Sequence, residues 1–254
     1  MTLRTNTLQG KTALITGASK GLGKAMALAL GQAGARLVLV SRNREQLNQT
    51  AMEARNLGAE ATVFPADVTD EAQVTRLAES VARDCGRVQI LINNAGVNLR
   101  KPVTEFTLAE WRQVTDTNLT SVFLMCRAFV PQMKGQGYGR ILNLTSIMSH
   151  VALPGRTAYC ASKAGLLGFT RALALELVEE KITVNGISPG PFATELNTPL
   201  LQDPQLNQQF VSRIPLGRWG KVDEVGHLAV YLCSEAAGFI TGTDMLIDGG
   251  WTAQ

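Results

Sequence analysis

The chain is short of what a metal centre or a nucleic-acid surface is built from. It has two histidines, His150 and His227, and four cysteines. Cys85, Cys126, Cys160 and Cys233 show no metal-ligand spacing, so a metal site has little to draw on and buried free thiols are the expectation. Excess charge is missing too. The formal net charge of +3 is too small and too dispersed to suggest a nucleic-acid surface, though it suits a small anionic ligand. The most apolar helical stretch, residues 121–130, is interrupted by Arg127 and falls short of membrane-spanning length. Met1 to Leu8 is polar and lacks the apolar stretch of a secretory leader. No Pro/Ser-rich linker, charge run or fixed-period repeat divides the chain. These absences lead to the expectation of a cytoplasmic protein, in a soluble and reducing compartment, that folds as one domain over residues 1–254 and binds neither membrane nor nucleic acid.

What is present is an alternation. Short β-branched runs at Thr12 to Thr16, Arg36 to Val40, Ala61 to Phe64, Gln89 to Ile92, Arg140 to Leu144, Thr183 to Ile187 and Met245 to Ile247 are separated by longer helical patterns. Strands that alternate with helices pair in parallel, and right-handed crossovers put helices on both faces. The prediction is an α/β fold, doubly wound around a seven-stranded parallel sheet, with its ligands beyond the carboxyl ends of the strands. Gly21 to Ala33 reads as one helix, ending near Gly34. Asp70 with Gln73 resembles a capping box ahead of Val74, Leu77 and Val81. Leu108 to Pro131 reads as one long helix, followed by a turn at Gly135, Gly137 and Gly139.

The chemistry-bearing residues fall just after predicted strands. Tyr159 and Lys163 are four apart on a predicted helix and share a face about one turn from each other. A nearby ammonium favours phenolate over phenol. An ordinary tyrosine titrates near pH 10, so reaching neutrality needs about 4 kcal/mol from Lys163 and any bound cationic ring. Ser146, in a strand-ending loop, would donate a hydrogen bond to a carbonyl oxygen while Tyr159 gives or takes its proton. Near the start, Thr16-Gly17-Ala18-Ser19-Lys20-Gly21-Leu22-Gly23 follows a strand and opens a helix. Gly17, Gly21 and Gly23 would let the backbone approach a pyrophosphate whose charge the helix N-terminus stabilises.

With that run, Asn93-Asn94-Ala95-Gly96, Asn118, Ser146, Tyr159 and Lys163 in this order, the chain resembles the short-chain dehydrogenase/reductase family along nearly its whole length. The resemblance implies a Rossmann-like fold and hydride transfer between a nicotinamide cofactor and a carbonyl carbon. Tyr159 would be the general acid and base, Ser146 would position the oxygen, and Asn118 would hold a water that links Lys163 to solvent. It implies adenine contacts from Asp67 and Val68, and ribose contacts from Asn94, Ala95 and Gly96. The loop of Pro189, Gly190, Pro191, Phe192, Ala193 and Thr194 would hold the carboxamide. Ser19, Leu22, Tyr159 and Lys163 also belong to the implied cofactor set.

Cofactor choice follows from the end of the second strand. Enzymes that use NAD place an acid there to bond the ribose hydroxyls; here Ser41 and Arg42 stand in its place. An acid repels a 2′-phosphate, whereas Arg42 can clamp one, and Lys20 lies where NADP-dependent relatives keep a basic residue. NADP(H) is the predicted cofactor.

For the substrate pocket the candidates are Ser146, Met148, Tyr159, Phe192, Arg100 and Arg156, with Lys101 a further cation at its mouth. Ile147, His150, Val151 and a lid from Leu196 to Phe210 would shape it. His150 is expected to face solvent, and Asp248-Gly249-Gly250-Trp251 to contribute subunit contacts. Arg100-x-Pro102 and the stretch from Thr194 to Arg218 look like gluconate 5-dehydrogenase-like members, which favours a hydroxylated or sugar acid. A 3-oxoacyl thioester of an acidic carrier protein is the alternative, and a cofactor-binding sensor or assembly subunit without turnover a remoter one. The family's helical pairing implies a homo-oligomer, a dimer or more commonly a homotetramer.

Overall fold

A computed structural model describes residues 7–194 and 197–254. Seven strands, β1 (Thr12–Thr16), β2 (Arg36–Ser41), β3 (Ala61–Pro65), β4 (Ile90–Asn93), β5 (Gly139–Leu144), β6 (Ile182–Pro189) and β7 (Asp244–Ile247), form one sheet in the order β3-β2-β1-β4-β5-β6-β7. Every neighbouring pair is parallel. The strands are apolar because both faces of the sheet are covered. Along β1, Ala13 and Ile15 join one core cluster and Leu14 the other, as the two-residue period of a strand requires.

Helices α1 (Gly21–Gln32) and α2 (Arg44–Asn56) pack on the first face through Met26, Leu30, Leu47 and Ala51. Helix α3 (Glu71–Cys85) packs on the second through Val74, Leu77 and Val81. Asp70 caps Gln73 N at 3.1 Å as expected, but the Gln73 side-chain Oε1 accepts from Asp67 N at 3.0 Å rather than from Asp70 N, so the box is not reciprocal.

The long predicted helix is interrupted. Helix α4 (Leu108–Thr115) and helix α5 (Ser121–Met133) are joined by a π-helical turn, Asp116–Thr120, with Asn118 buried at its centre. One extra residue in a turn is the usual form of a π-bulge, and such bulges recur at functional sites. Pro131 lies inside the last turn of α5 rather than ending it. Helix α6 (Thr157–Glu176) covers the second face, α7 (Thr198–Gln202) and α8 (Pro204–Val211) follow β6, and α9 (Val222–Cys233) packs beside α1 through Val225 and Ala229. No helix among the described residues is long and apolar enough to cross a membrane. Of the four free cysteines only Cys126 and Cys233 are buried, and burial pushes both thiols up to about 12; Cys85 and Cys160 are half-buried, contrary to the expectation.

Candidate active site

The strand order reverses at β1, which lies between β2 and β4, and a crevice opens at such a point. Here it is a cleft of about 1020 Å³ beyond the carboxyl ends of the strands. At one end the walls are backbone. Gly17 and Gly21 take φ of +64° and +57°, a region where only glycine is unstrained. The turn folds against Asn94, whose Nδ2 donates to Thr16 O at 2.9 Å and Gly17 O at 3.2 Å. A Cβ on Gly23 would lie 2.3 Å from both Asn94 Nδ2 and Gly17 O. Helix α1 then starts with no side-chain cap and no acid in its first turn, so its N-terminal amides and positive dipole end remain available to an anion. Ser19, Lys20, Gly21 and Leu22 border the cleft there, with Ala95 and Gly96 opposite.

Next to this turn lie Ser41, Arg42, Asp67 and Val68. The Arg42 side chain is 76% exposed, and its Nη1 stands 3.9 Å from Asp67 Oδ2, too loose to neutralise it. Lys20 makes no ion pair among the described residues. Asp67 Oδ1 accepts from Thr69 N at 3.0 Å and Thr69 Oγ1 at 2.7 Å, so it also leads the chain toward α3. The hydroxyl of Ser41 is buried and has no hydrogen-bond partner among the described residues, and neither has the Asn98 amide oxygen farther along the cleft. An orphan hydroxyl, two unneutralised cations and an uncapped helix start are the donor set that a phosphorylated dinucleotide uses. The residues present therefore fit NADP(H).

The other end is built from side chains. Ser146, buried, caps the short turn Ile147–Ser149 by accepting from Met148 N at 3.1 Å, which leaves its hydroxyl proton free to donate. Lys163 is also buried and its ammonium donates to Leu144 O. Burial pulls that ammonium down to about 8, and the Asp244 carboxylate works against the fall. Tyr159 differs from expectation. Lys163 Nζ is 5.7 Å from its ring centroid, and burial pushes the phenol above its ordinary range. The Ser146 hydroxyl, Arg156 and Arg100 pull it the other way. Lys163 is not among those groups.

Asn118 does not line the cleft. Its Oδ1 accepts from Val97 N at 2.8 Å, and its Nδ2 donates to Val97 O and Ser162 Oγ, both at 3.0 Å. The side chain is thereby committed to the Val97 loop and to α6. Gly96 lies between the two groups: a Cβ there would stand 3.3 Å from Asn118 Oδ1 and 3.8 Å from Lys163 Nζ.

Arg100 and Arg156 both border the cleft beside Ser146, Met148 and Tyr159. Neither side chain has a carboxylate partner among the described residues, and burial together with the Arg100 charge lowers the Arg156 pKa. Lys101 is different: its Nζ pairs with Glu110 at 2.6 Å, and that contact together with the Thr107 cap pulls the Glu110 carboxyl down to about 2. Its backbone N donates to Gly155 O at 3.0 Å, tying the Arg100 loop to the Arg156 loop.

Pro189, Gly190, Phe192 and Thr194 line the cleft as predicted, as do Ile147 and Met148; Val151 and His150 do not. His150 stays exposed as expected, but its Nε2 also reaches inward, 2.6 Å from the buried Asp244 Oδ2. Leu196, the predicted start of the lid, lies outside the described residues. The lid helix α8 brings Phe210 to the cleft, stacked on Trp219 at 4.9 Å and against Trp251 at 5.2 Å. Trp251 and Leu153 were missed as wall residues. No pattern marks a tryptophan near the C-terminus as the partner of a phenylalanine 41 residues earlier.

Comparison with known proteins agrees with this geometry. A family model described as enoyl-(acyl carrier protein) reductase matches residues 17–252. The gluconate 5-dehydrogenase of Gluconobacter oxydans is 39% identical over 249 residues, 97% of this chain and 96% of its own length. The 3-oxoacyl-[acyl-carrier-protein] reductase of Thermotoga maritima is 36% identical over 243 residues, 96% of this chain and 98% of its own. The crystal structure of a gluconate 5-dehydrogenase from Burkholderia cenocepacia, in complex with NADP and tartrate, superposes with a TM-score of 0.93 at 35% identity, covering 97% of each chain. Likeness that runs almost end to end in sequence and fold leaves one conclusion: the chain belongs to the short-chain dehydrogenase/reductase family.

Proposed function

We propose that the protein is an NADP(H)-dependent oxidoreductase that interconverts a secondary alcohol and a ketone on a small hydroxylated acid of the sugar-acid class. The observation that carries this reading is the placement of two carboxylate-free guanidiniums, Arg100 and Arg156, at the same end of the cleft as Ser146 and Tyr159. A substrate carboxylate held there by charge-assisted hydrogen bonds would present its carbonyl to Ser146. The likeness to the Burkholderia protein, whose complex contains a hydroxylated dicarboxylate, supports the same class.

When bound, NADPH supplies the hydride that the carbonyl carbon receives. Ser146 donates its free hydroxyl proton as a hydrogen bond to the carbonyl oxygen. Tyr159 then delivers its proton to that oxygen as general acid. Burial holds Tyr159 protonated at neutral pH, which is the form reduction needs. Oxidation needs the phenolate, so its rate should rise with pH while reduction falls. Lys163, an ammonium below about 8, and the two arginines offset the charge left on the phenolate oxygen. Asn118 keeps the Val97 loop and α6 in register behind these groups.

The thioester reading has its own support in the likeness to the Thermotoga reductase. Arg156 weighs against it. A cation that docks an acidic carrier protein belongs on the outer rim, and Arg156 is half-buried in the cleft beside Tyr159. The sensor reading would be favoured by loss of Ser146, Tyr159 or Lys163, and all three are present.

The whole chain would act as one domain in the cytoplasm and assemble as a homotetramer, because Leu108, Phe123, Leu175 and Phe239 are left exposed. Light scattering of the purified protein tests the assembly. The activity test is oxidation of NADPH and NADH against 5-ketogluconate, aliphatic and cyclic ketones and acetoacetyl thioesters. NADPH-linked turnover of 5-ketogluconate, reduced by about 1000-fold in Tyr159→Phe with NADPH binding retained, is the expected result. NADPH binding without turnover of any ketone would overturn it.

A further inference from the structure

We infer that Asp244 and His150 are positioning residues for this reaction: a buried carboxylate on the edge strand, clasped by His150, holds the Ser146 turn and the end of β6 in place behind the catalytic groups. The inference rests on the roles given to Ser146 and Lys163 above.

Asp244 opens β7, and its side chain is 3% exposed. Its Oδ2 accepts from Ser188 Oγ at 2.5 Å and lies 2.6 Å from His150 Nε2. Its Oδ1 lies 2.6 Å from Thr145 Oγ1, whose single proton is shared with the Ile187 carbonyl at 2.7 Å. Each of these contacts flanks part of the cleft. Thr145 precedes Ser146, Ser188 precedes Pro189, and His150 ends the short turn that Ser146 caps. One carboxylate thus joins three segments without lining the cleft itself. The same turn reaches the Lys163 helix, where Ser149 Oγ donates to Lys163 O at 3.1 Å.

The fold makes room for this arrangement. A Cβ on Gly186 would stand 2.1 Å from Asp244 Oδ1, so glycine at that position of β6 is a condition for the carboxylate to lie there. A buried carboxylate is costly unless its oxygens are hydrogen-bonded, and here donors from three segments converge on it. Its charge also acts forward, favouring the ammonium form of Lys163. His150 and Lys163 are the titratable groups that face Asp244. No local sequence pattern pairs His150 with a residue 94 positions away.

The test uses the full-length protein with NADPH, 5-ketogluconate and acetoacetyl thioester as probes, together with 13Cε-lysine NMR in which Lys163→Met assigns the resonance. Asp244→Asn should lower kcat about tenfold to a hundredfold while the Kd for NADPH changes little. The alkaline limb of its pH profile should move to lower pH, and the Lys163 resonance should titrate lower than in the parent. His150→Phe should fall toward the Asp244→Asn value, and His150→Gln, whose amide can still donate to Oδ2, should recover most of the loss. A Lys163 titration unmoved in Asp244→Asn, or His150→Phe indistinguishable from the parent, would overturn the inference. If the parent turned over neither probe, the functional reading would fall, and the NMR titration would still decide the link from Asp244 to Lys163.

Discussion

The two ends of the cleft are made of different material. The end proposed for the adenosine phosphates is backbone, with glycines folded so tightly that an added methyl group would stand 2.3 Å from Asn94 Nδ2, and its cations, Lys20 and Arg42, are exposed side chains on the rim. The catalytic end is side chain, with Ser146, Lys163 and Asp244 buried and hydrogen-bonded across segments far apart in the chain. The first end should therefore fail when its shape changes and tolerate changes of rim chemistry. The second should keep its shape under isosteric substitution and fail when charge or a proton is removed. A binding surface can be preformed from amides alone, whereas proton transfer needs titratable groups held out of water.

Gly23→Ala is the strongest challenge to this contrast. The methyl group would collide with Asn94 Nδ2 and with Gly17 O, and backbone cannot rotate away as a side chain can. We expect a stability loss of about 1–3 kcal/mol and NADPH affinity down by about a hundredfold or more, measured by thermal unfolding and fluorescence titration. Near-normal NADPH binding in this variant would mean that the turn is not the phosphate seat.

The same division explains what could be read in the sequence. β1 is bounded as predicted, at Thr12–Thr16, and the other strands within a few residues, because each is an apolar run between helical periods. The glycine turn and the Tyr159–Lys163 pair are local patterns, so they were legible too. Contacts between distant segments were not. The π-turn at Asn118 exists because that amide reaches the Val97 loop, 21 residues earlier. Lys101 follows Arg100 in the sequence, but its ion pair with Glu110, nine residues on, takes it out of the cleft. The expected lowering of Tyr159 counts the neighbouring ammonium and a bound cationic ring, and leaves out the burial that raises the phenol.

Arg156→Met sharpens the comparison at the catalytic end. It keeps most of the side-chain volume and removes the guanidinium. The KM for 5-ketogluconate should rise about tenfold to a hundredfold, the loss of one charge-assisted contact, with acetoacetyl thioester and NADPH little changed. An equal loss on both substrates would return Arg156 to a structural role. Arg42→Asp is the counterpart on the rim. Because the Arg42 side chain is 76% exposed, we expect a smaller effect, a fall of about tenfold in the preference for NADPH over NADH. An unchanged preference would remove Arg42 from cofactor selection.

The smallest effect should come as a gain. Lys163 is buried, and its ammonium is pulled down to about 8 from 10.5. A base whose folded-state pKa lies below its unfolded value destabilises the fold wherever it is charged in both states. The full cost applies below about pH 8, diminishes between about pH 8 and 10.5, and vanishes above, where both states are neutral. A shift of that size corresponds to about 3 kcal/mol at most, offset in part by the hydrogen bond to Leu144 O. Lys163→Met should therefore raise the thermal midpoint at pH 7 by a few degrees while abolishing turnover, and the gain should shrink as the scan is repeated toward pH 10. If the variant is no more stable at pH 7, or its advantage grows with pH, the buried charge is not the strained element of the catalytic end, and the contrast with the backbone-built end loses its energetic basis.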